Sequence, residues 1–241
     1  MIGRIWRASK YLLFAGALVG GGLIAASWPE SVTGSGVPAT EDRPVGAVDE
    51  ISLSGIGNLT ITQGEVPSLS ITADNNLLPL IETESSGRQL HIHPKSGYSI
   101  HPKTPLKFTL TVPKLEKVSL SGSGTLAVSG FRGNTLEIKL SGSGSAGLDD
   151  VKYRTVGLNI SGSAATKMSG TAEKITIRVS GSGDVDAREL KSETSEVRVS
   201  GSGTIQVWAT KTLKARVSGS GDIQYRGNPQ VEKRVSGSGR V

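Results

Sequence analysis

The chain contains no cysteine and few aromatic residues, and both shortages restrict what it can be. Without cysteine there can be no disulfide, no thiol chemistry and no lipid-modified cysteine at a mature N-terminus. Ten aromatic residues among 241, with 32 glycines and 36% hydrophobic residues, argue against one large aromatic-rich core. The composition favours a thin, repetitive core instead.

Charge gives little indication of a partner. The formal net charge is +6, but Arg4, Arg7 and Lys10 account for three of the 27 basic residues, which leaves 24 against 21 acidic ones. The remaining charge is spread thinly along the chain, and no basic stretch alternates with aromatic residues as nucleic-acid-binding surfaces do. The sequence therefore predicts no nucleic-acid partner.

An uncharged apolar segment, YLLFAGALVGGGLIAAS, occupies residues 11–27. Seventeen helical residues reach about 26 Å, the short end of a membrane span. The basic residues before it place the body outside the cytoplasm by the positive-inside rule. We expect residues 1–27 to form a signal or anchor helix, with an uncleaved single-pass anchor favoured over cleavage near Ser27 and secretion. Residues 28–46 are rich in Pro and Gly and are predicted to be a flexible linker.

The tetrapeptide Ser-Gly-Ser-Gly recurs at intervals of 18 to 20 residues in the second half of the chain, with one Ser-Gly-Ser-Ala copy at Ser161. Apolar residues flank each copy with a period of two, which is typical of strands. Repeats of this length predict coils that bury their apolar faces against their neighbours. We predict an all-β fold whose residues 118–241 form a right-handed parallel β-solenoid, or β-helix, with coils of about 20 residues. An antiparallel meander is the alternative.

The glycines share the parity of the apolar residues, so they are expected to face the interior at sharp corners, where a Cβ atom has no room. The serines then face outward and form a surface ladder. The predicted corner glycines are Gly55, Gly57, Gly122, Gly124, Gly142, Gly144, Gly162, Gly181, Gly183, Gly201, Gly203, Gly219 and Gly221. The predicted ladder consists of Ser121, Ser141, Ser161, Ser180, Ser200 and Ser218.

Residues 47–117 are predicted to form an N-terminal β portion that caps the solenoid. A first coil surrounds Ser54-Gly55-Ile56-Gly57, and alternating apolar residues indicate strands over 68–73, 80–84, 88–93 and 106–112. Ser86-Gly87 marks a hairpin turn between two of these strands. Such a cap would cover a sheet edge that otherwise invites aggregation.

These features resemble the head GIN domain family, also called putative auto-transporter adhesins. The resemblance lies in residues 53–61, in residues 106–113 (LKFTLTVP) and in the Ser-Gly-Ser-Gly corners, and residues 110–124 are its most specific part. It covers about 48–241 and departs from the pattern at Ile56 and Ala164. The resemblance implies a bacterial envelope protein with a β-solenoid-like head, an adhesive role and no established enzymatic activity, in a domain spanning residues 47–241.

Motifs that suggest catalysis or a cofactor have simpler explanations. Gly142, Gly144 and Gly147 match the dinucleotide-binding pattern G-x-G-x-x-G, but they belong to the repeat and no helix can follow them. The serines lie outside any G-x-S-x-G motif and lack an activating base. We therefore predict no cofactor and no enzymatic activity.

Three groups of residues have side chains that could bind a metal ion. His91 and His93, with His101 nearby, could chelate a metal, and the pairs Asp149-Asp150 and Asp184/Asp186 could bind calcium at a turn. The histidines are expected to be solvated residues of an outer strand face, and neither acidic pair recurs at matching coil positions. We therefore predict no metal site.

The sequence as a whole predicts a membrane-anchored, extracytoplasmic, non-enzymatic binding or adhesion module of the bacterial cell envelope. Its partner would be a glycan or an envelope protein, and specificity would come from the coil surface opposite or alongside the serine corners. A self-associating structural or regulatory envelope protein is the alternative. A polysaccharide-processing enzyme is the third possibility, but it would need carboxylates on successive coils, and the aligned positions lack them.

Overall fold

Stacked strands dominate the structure. The computed structural model describes residues 29–241, which form an all-β solenoid of about six turns. One turn of 3-10 helix at Leu78–Leu80 interrupts the strands. The strands are β1 Glu30–Thr33, β2 Pro38–Arg43, β3 Glu50–Gly55, β4 Asn58–Gln63, β5 Ser68–Asp74, β6 Ile81–Ser86, β7 Gln89–Pro94, β8 Tyr98–His101, β9 Lys107–Val112, β10 Lys117–Gly122, β11 Thr125–Ser129, β12 Arg132–Gly142, β13 Ser145–Gly162, β14 Ala165–Gly181, β15 Asp184–Gly201, β16 Thr204–Gly219, β17 Asp222–Arg226 and β18 Gln230–Gly237.

Successive coils pair in parallel, with the corner motifs in register. β10 pairs with β3 and β12, and the ladder continues through β13, β14, β15 and β16 to β18. In a parallel sheet, each step along this ladder advances about 4.8 Å. The predicted β-solenoid is therefore confirmed, and the antiparallel meander is wrong for these coils. The right hand of the coil stays a prediction.

Columns of apolar side chains fill the solenoid, because no coil can bury its own apolar face. The repeat predicts one buried column made of Leu120, Leu140, Ile160, Val179, Val199, Val217 and Val235, and the first six of these seven residues are buried. The seventh, Val235, is 44% exposed because β18 pairs with β16 on one side only within the described residues. The prediction for Val235 is therefore wrong. Phe108 and Phe131 are the largest fully buried side chains.

Antiparallel strands end the sheets on the N-terminal side. β6 and β7 form a hairpin whose turn includes Gly87, as predicted at Ser86-Gly87, and β7 pairs in parallel with β3 of the first coil. On another face β2 pairs with β5, β5 pairs antiparallel with β9, and β9 joins β4 of the first coil. β1 pairs with β8 in a separate two-stranded sheet.

The prediction of a flexible linker over residues 28–46 is wrong where β1 and β2 form. These strands lack an apolar period, and contacts distant in sequence stabilise them. Arg43 at the end of β2 donates hydrogen bonds to the carbonyl oxygens of Ile81 and Leu78. The buried carboxylate of Asp74 accepts the backbone N–H groups of Gly36 at 2.7 Å and Lys103 at 2.8 Å.

The predicted signal or anchor helix, residues 1–27, lies outside the described residues. Within residues 29–241, no helix has the length and apolar character needed to cross a membrane. The proposed boundaries at 47 and 117 stay predictions.

Candidate functional site

The corner motif produces a sharp bend at the same place in every coil. The first glycine of each corner has a φ between +104° and +133°, in Gly55, Gly122, Gly142, Gly162, Gly181, Gly201, Gly219 and Gly237. A Cβ atom on Gly122 would lie 1.9 Å from the carbonyl oxygen of Gly55 in the preceding coil. Only glycine allows both this backbone conformation and this close stacking.

The two glycines of a corner differ in burial. The first is half-buried or exposed, and its missing side chain would meet the backbone of the neighbouring coil. The second position is buried in most coils, as in Gly124 and Gly203, and Ala164 fits there in one coil. A Cβ atom at the second position would also meet the preceding coil, as at Gly203, where it would lie 2.0 Å from the carbonyl oxygen of Gly183. Both glycines therefore allow the coils to stack closely.

The serine before each first glycine is exposed and stands directly above the serine of the previous coil. These pairs run in register through Ser121, Ser141, Ser161, Ser180, Ser200, Ser218 and Ser236. The structure thus places all six serines of the predicted ladder in one row. Ser236 extends that row by one coil.

A groove of about 700 Å³ runs along this row. A second row of side chains lines the other side of the groove. These residues lie two positions earlier in each strand and carry most of the groove's charge. We call this feature the basic groove and define it by its two rows of lining residues. These are Lys139, Asn159, Arg178, Arg198, Arg216 and Arg234 in one row, and Ser141, Ser161, Ser180, Ser200, Ser218 and Ser236 in the other.

The basic groove follows from a longer repeat than the tetrapeptide. Arg-Val-Ser-Gly-Ser-Gly occurs four times, beginning at Arg178, Arg198, Arg216 and Arg234. A period of two puts the arginine and serine on the outer face and the valine between them in the core. Parallel pairing then aligns each arginine with the next. The net charge of the chain does not indicate this row. The sequence signal that predicts it is the arginine at the same position before each of these four corners.

Neighbouring carboxylates neutralise only part of this row. Arg198 pairs with Glu196 at 2.7 Å, Arg234 with Glu232 at 3.5 Å and Lys139 with Glu137 at 3.3 Å. These ion pairs are on the surface, where such pairs contribute about 0–1 kcal/mol. Within residues 29–241, Arg178 and Arg216 have no carboxylate within 4 Å. The groove therefore keeps an excess of positive charge.

Lys214 adds to that excess. It stands in register between Glu196 and Glu232, in the row next to the arginines. In the row that contains Glu196 and Glu232, the residue nearest to Arg216 is therefore a cation and not a carboxylate. Among the described residues of these two rows, the basic side chains without a carboxylate within 4 Å are Arg178, Lys214 and Arg216, which lie on β14 and β16.

The three histidines considered as metal ligands do not come together as one group. His93 lies across the hairpin from Glu82, with its Nδ1 atom 4.0 Å from a Glu82 oxygen and its Nε2 atom 3.9 Å from a Glu84 oxygen. The rings of His91 and His93 are 6.0 Å apart, and His101 lies in β8, paired with β1. The side chains that come together are therefore one histidine and two glutamates. They lie on an edge hairpin, and two of the three are partly exposed.

The acidic pairs considered for calcium make hydrogen bonds within the protein. Asp149 accepts the hydroxyl of Ser169 at 2.7 Å, and Asp184 accepts the backbone N–H of Thr204 at 2.8 Å. The hydrogen-bonded guanidinium of Arg188, 2.7 Å from Asp186, lowers the pKa of that carboxyl to about 2. These carboxylates connect neighbouring coils or neighbouring side chains.

The family model described as putative auto-transporter adhesin, head GIN domain, matches residues 47–229 of the chain. The match includes the first coil and most of the basic groove, as far as β17. No curated protein sequence matches the chain at a significant level.

Solved structures of bacterial proteins share this fold. A putative adhesin from Bacteroides fragilis superposes with a TM-score of 0.82 at 24% identity, covering 87% of this chain and 98% of its own. A putative lipid binding protein from Parabacteroides distasonis gives 0.74 at 28% identity, covering 88% and 100%. A putative adhesin from Parabacteroides merdae gives 0.71 at 23% identity, covering 88% and 99%. The solenoid is therefore a fold seen in other proteins over nearly its whole described length.

Proposed function

Because the chain belongs to the head GIN domain family of putative auto-transporter adhesins, we propose that it is a non-enzymatic binding module of the bacterial cell envelope. The observation that carries this proposal is the basic groove, an open channel of about 700 Å³ on the outer face of six successive coils. Its serine hydroxyls donate and accept hydrogen bonds, and its guanidinium groups donate them. A long, regular groove of this kind suits an extended ligand such as a glycan.

The side chains of the groove support binding rather than catalysis. Its lining, as described for residues 139–236, has hydroxyl, amide, guanidinium and ammonium groups, with no carboxylate or imidazole among them. General acid–base catalysis usually requires a group of the latter kinds within hydrogen-bonding reach of the substrate. The serines lack a neighbouring base that would make them nucleophiles.

The proposal includes the placement of the protein. Residues 11–27 would hold it in the membrane as an uncleaved single-pass anchor, and the solenoid would lie in the periplasm or outside the cell. N-terminal sequencing of the mature protein from cells tests this part. A sequence that begins at residue 1 or 2 supports the anchor, and one that begins near residue 28 supports secretion after cleavage.

A glycan array tests the binding role with the full chain in a neutral detergent. Ser200→Trp would place an indole inside the basic groove, and Ser202→Trp, at an exposed serine of the same corner outside the groove lining, is the matched control. We expect the unchanged chain to bind at least one glycan, Ser200→Trp to weaken that binding at least tenfold, and Ser202→Trp to change it less than twofold. Absence of glycan binding by the unchanged chain, or equal effects of the two substitutions, would overturn the proposal.

A second candidate function, self-association, rests on the edge of the last described coil. β18 pairs with β16 on one side, and every residue of β18 is exposed, including Val231 at 38% and Val235 at 44%. An unpaired edge of this kind can pair with a second copy. Sedimentation at rising protein concentration tests this, with Val235→Lys expected to keep the chain monomeric. Monomers at every concentration rule the candidate out.

A further inference from the structure

We propose that the basic groove binds an extended acidic polysaccharide, with the arginine row contacting anionic groups spaced along the chain. This inference rests on the proposed binding function and names the chemical class of its ligand. Lys139 and Arg234 are five coils apart, which corresponds to about 24 Å at the spacing of parallel strands. A row of that length suits a polymer better than a single small anion.

Arginine suits such a ligand because its planar guanidinium donates two parallel hydrogen bonds to one carboxylate or sulfate. Four of the six positions in the row are arginine, and they occupy successive coils from β14 to β18. A repeating cation therefore faces a repeating anion along the groove. The serine row opposite supplies hydroxyls for the hydroxyl groups of the sugars.

The carboxylates beside the row indicate which arginines bind most strongly. Arg198 and Arg234 share their charge with Glu196 and Glu232, whereas Arg178 and Arg216 face no carboxylate within 4 Å in the described residues. These two are separated by two coil steps, about 10 Å. A polysaccharide in which every second sugar is acidic presents anionic groups at a comparable interval. We therefore assign Arg178 and Arg216 as the principal anion contacts.

The lining favours a polysaccharide over nucleic acid or lipid. Single-stranded nucleic acids are usually held by aromatic side chains that stack on the bases, and the described lining of the groove has none. A lipid would need an apolar pocket for its acyl chains. Three of the four valines of the groove floor are almost fully buried, with Val179 and Val199 at 2% and Val217 at 3% exposure, and only Val235 of the last described coil is exposed, at 44%. Apart from Val235, the surface offered to a ligand is therefore hydroxyl groups, guanidinium groups and the apolar stems of the basic side chains.

The test uses the full chain in a neutral detergent and hyaluronan oligosaccharides, in which every second sugar carries a carboxylate. The comparison ligand is the same oligosaccharide with its carboxyl groups reduced, which keeps its length and hydroxyls but removes its charge. The test variant is Arg178→Gln with Arg216→Gln. Its control is Arg132→Gln with Arg154→Gln, which removes the same charge from exposed strand positions outside the groove.

We expect the acidic oligosaccharide to bind, with an affinity that falls as salt rises. The reduced one should bind at least tenfold more weakly. The groove variant should lose at least tenfold in affinity for the acidic chain, and the control variant less than twofold. Unchanged circular dichroism of both variants shows that the loss comes from the groove and not from misfolding.

The outcomes separate this inference from the proposed function. Equal binding of acidic and reduced oligosaccharides, or equal losses in the two variants, overturns the acidic ligand and leaves a neutral glycan as the ligand of the module. Stronger arginine-dependent binding of a single-stranded DNA oligomer, or of detergent micelles containing an anionic phospholipid, overturns the assignment to polysaccharide. If no glycan or polymer binds at all, the proposed function fails as well.

Discussion

Substituting alanine at the first glycine of a corner tests whether that position sets the spacing of the coils. Gly201 has a φ of +133°, and a Cβ atom there would lie 2.1 Å from the carbonyl oxygen of Gly181. The same oxygen accepts the backbone N–H of Ser202 at 3.0 Å. Moving the oxygen out to an ordinary contact requires a shift of more than 1 Å. Gly201→Ala therefore strains one coil and separates it from the next.

The expected loss of stability is the sum of three effects. The backbone conformation costs about 1–3 kcal/mol for a residue with a side chain. Overpacking against a backbone that is already in contact costs about 1–3 kcal/mol, and the lost hydrogen bond about 1 kcal/mol. Some relief of one effect by another is expected, so Gly201→Ala should lower the free energy of unfolding by about 4 kcal/mol.

Two other glycines separate these effects. Gly87 has a φ of +58°, and a Cβ atom added there would have no other atom within 4 Å, so Gly87→Ala should cost about 1–2 kcal/mol from backbone strain alone. Gly147 has open space and no positive φ, so Gly147→Ala should change stability by less than about 0.5 kcal/mol. Urea unfolding followed by circular dichroism measures all three. Similar midpoints for Gly201→Ala and Gly147→Ala would refute the argument.

Three further predictions concern single side chains. Burial would raise the pKa of Asp74, but hydrogen bonds from the backbone of Thr104, Lys103 and Gly36 outweigh it and hold the pKa below its ordinary value of 3.8. The carboxylate therefore stabilises the fold at neutral pH and loses this effect as the pH falls below about 4. Asp74→Asn should lower the free energy of unfolding at pH 7, and unfolding curves should show this difference from the unchanged chain becoming smaller in acid. Arg188→Gln should raise the pKa of Asp186 from about 2 towards 3.8 in an NMR titration. Phe131→Ala should lower the free energy of unfolding by about 3–5 kcal/mol in urea, because the ring is fully buried; a loss under about 1 kcal/mol would contradict this packing.

The solenoid could be predicted because its pattern is local and repeated. Period-two apolar residues around each corner identify a strand, and the regular interval between corners identifies the coil. β1 and β2 could not be predicted in the same way. They lack an apolar period, and they form because Arg43 and Asp74 bind backbone groups that are distant in sequence, such as those of Ile81 and Lys103.

The site was predicted in part. The period of two placed the serines on the outer face, but the arginines two residues earlier were counted only as net charge. The hairpin turn at Ser86-Gly87 was predicted, and counting outward from it pairs Glu82 with His93, as the structure does. The arginine row and the pair of Glu82 with His93 were both missed. In each case the residues are separated in sequence and become neighbours only through strand pairing.

The coils differ in length by two residues, yet every corner stays in register with the next. The difference is absorbed on the far side of the coil, where the pairing of β13, β14, β15 and β16 shifts at Leu148/Val151, Lys167/Ser169 and Ala187/Lys191. A tandem duplication of one coil can therefore lengthen the groove by one strand spacing and add one arginine without altering its neighbours. On the proposed mode of binding, the number of coils would then set the length of polysaccharide that fits along the groove.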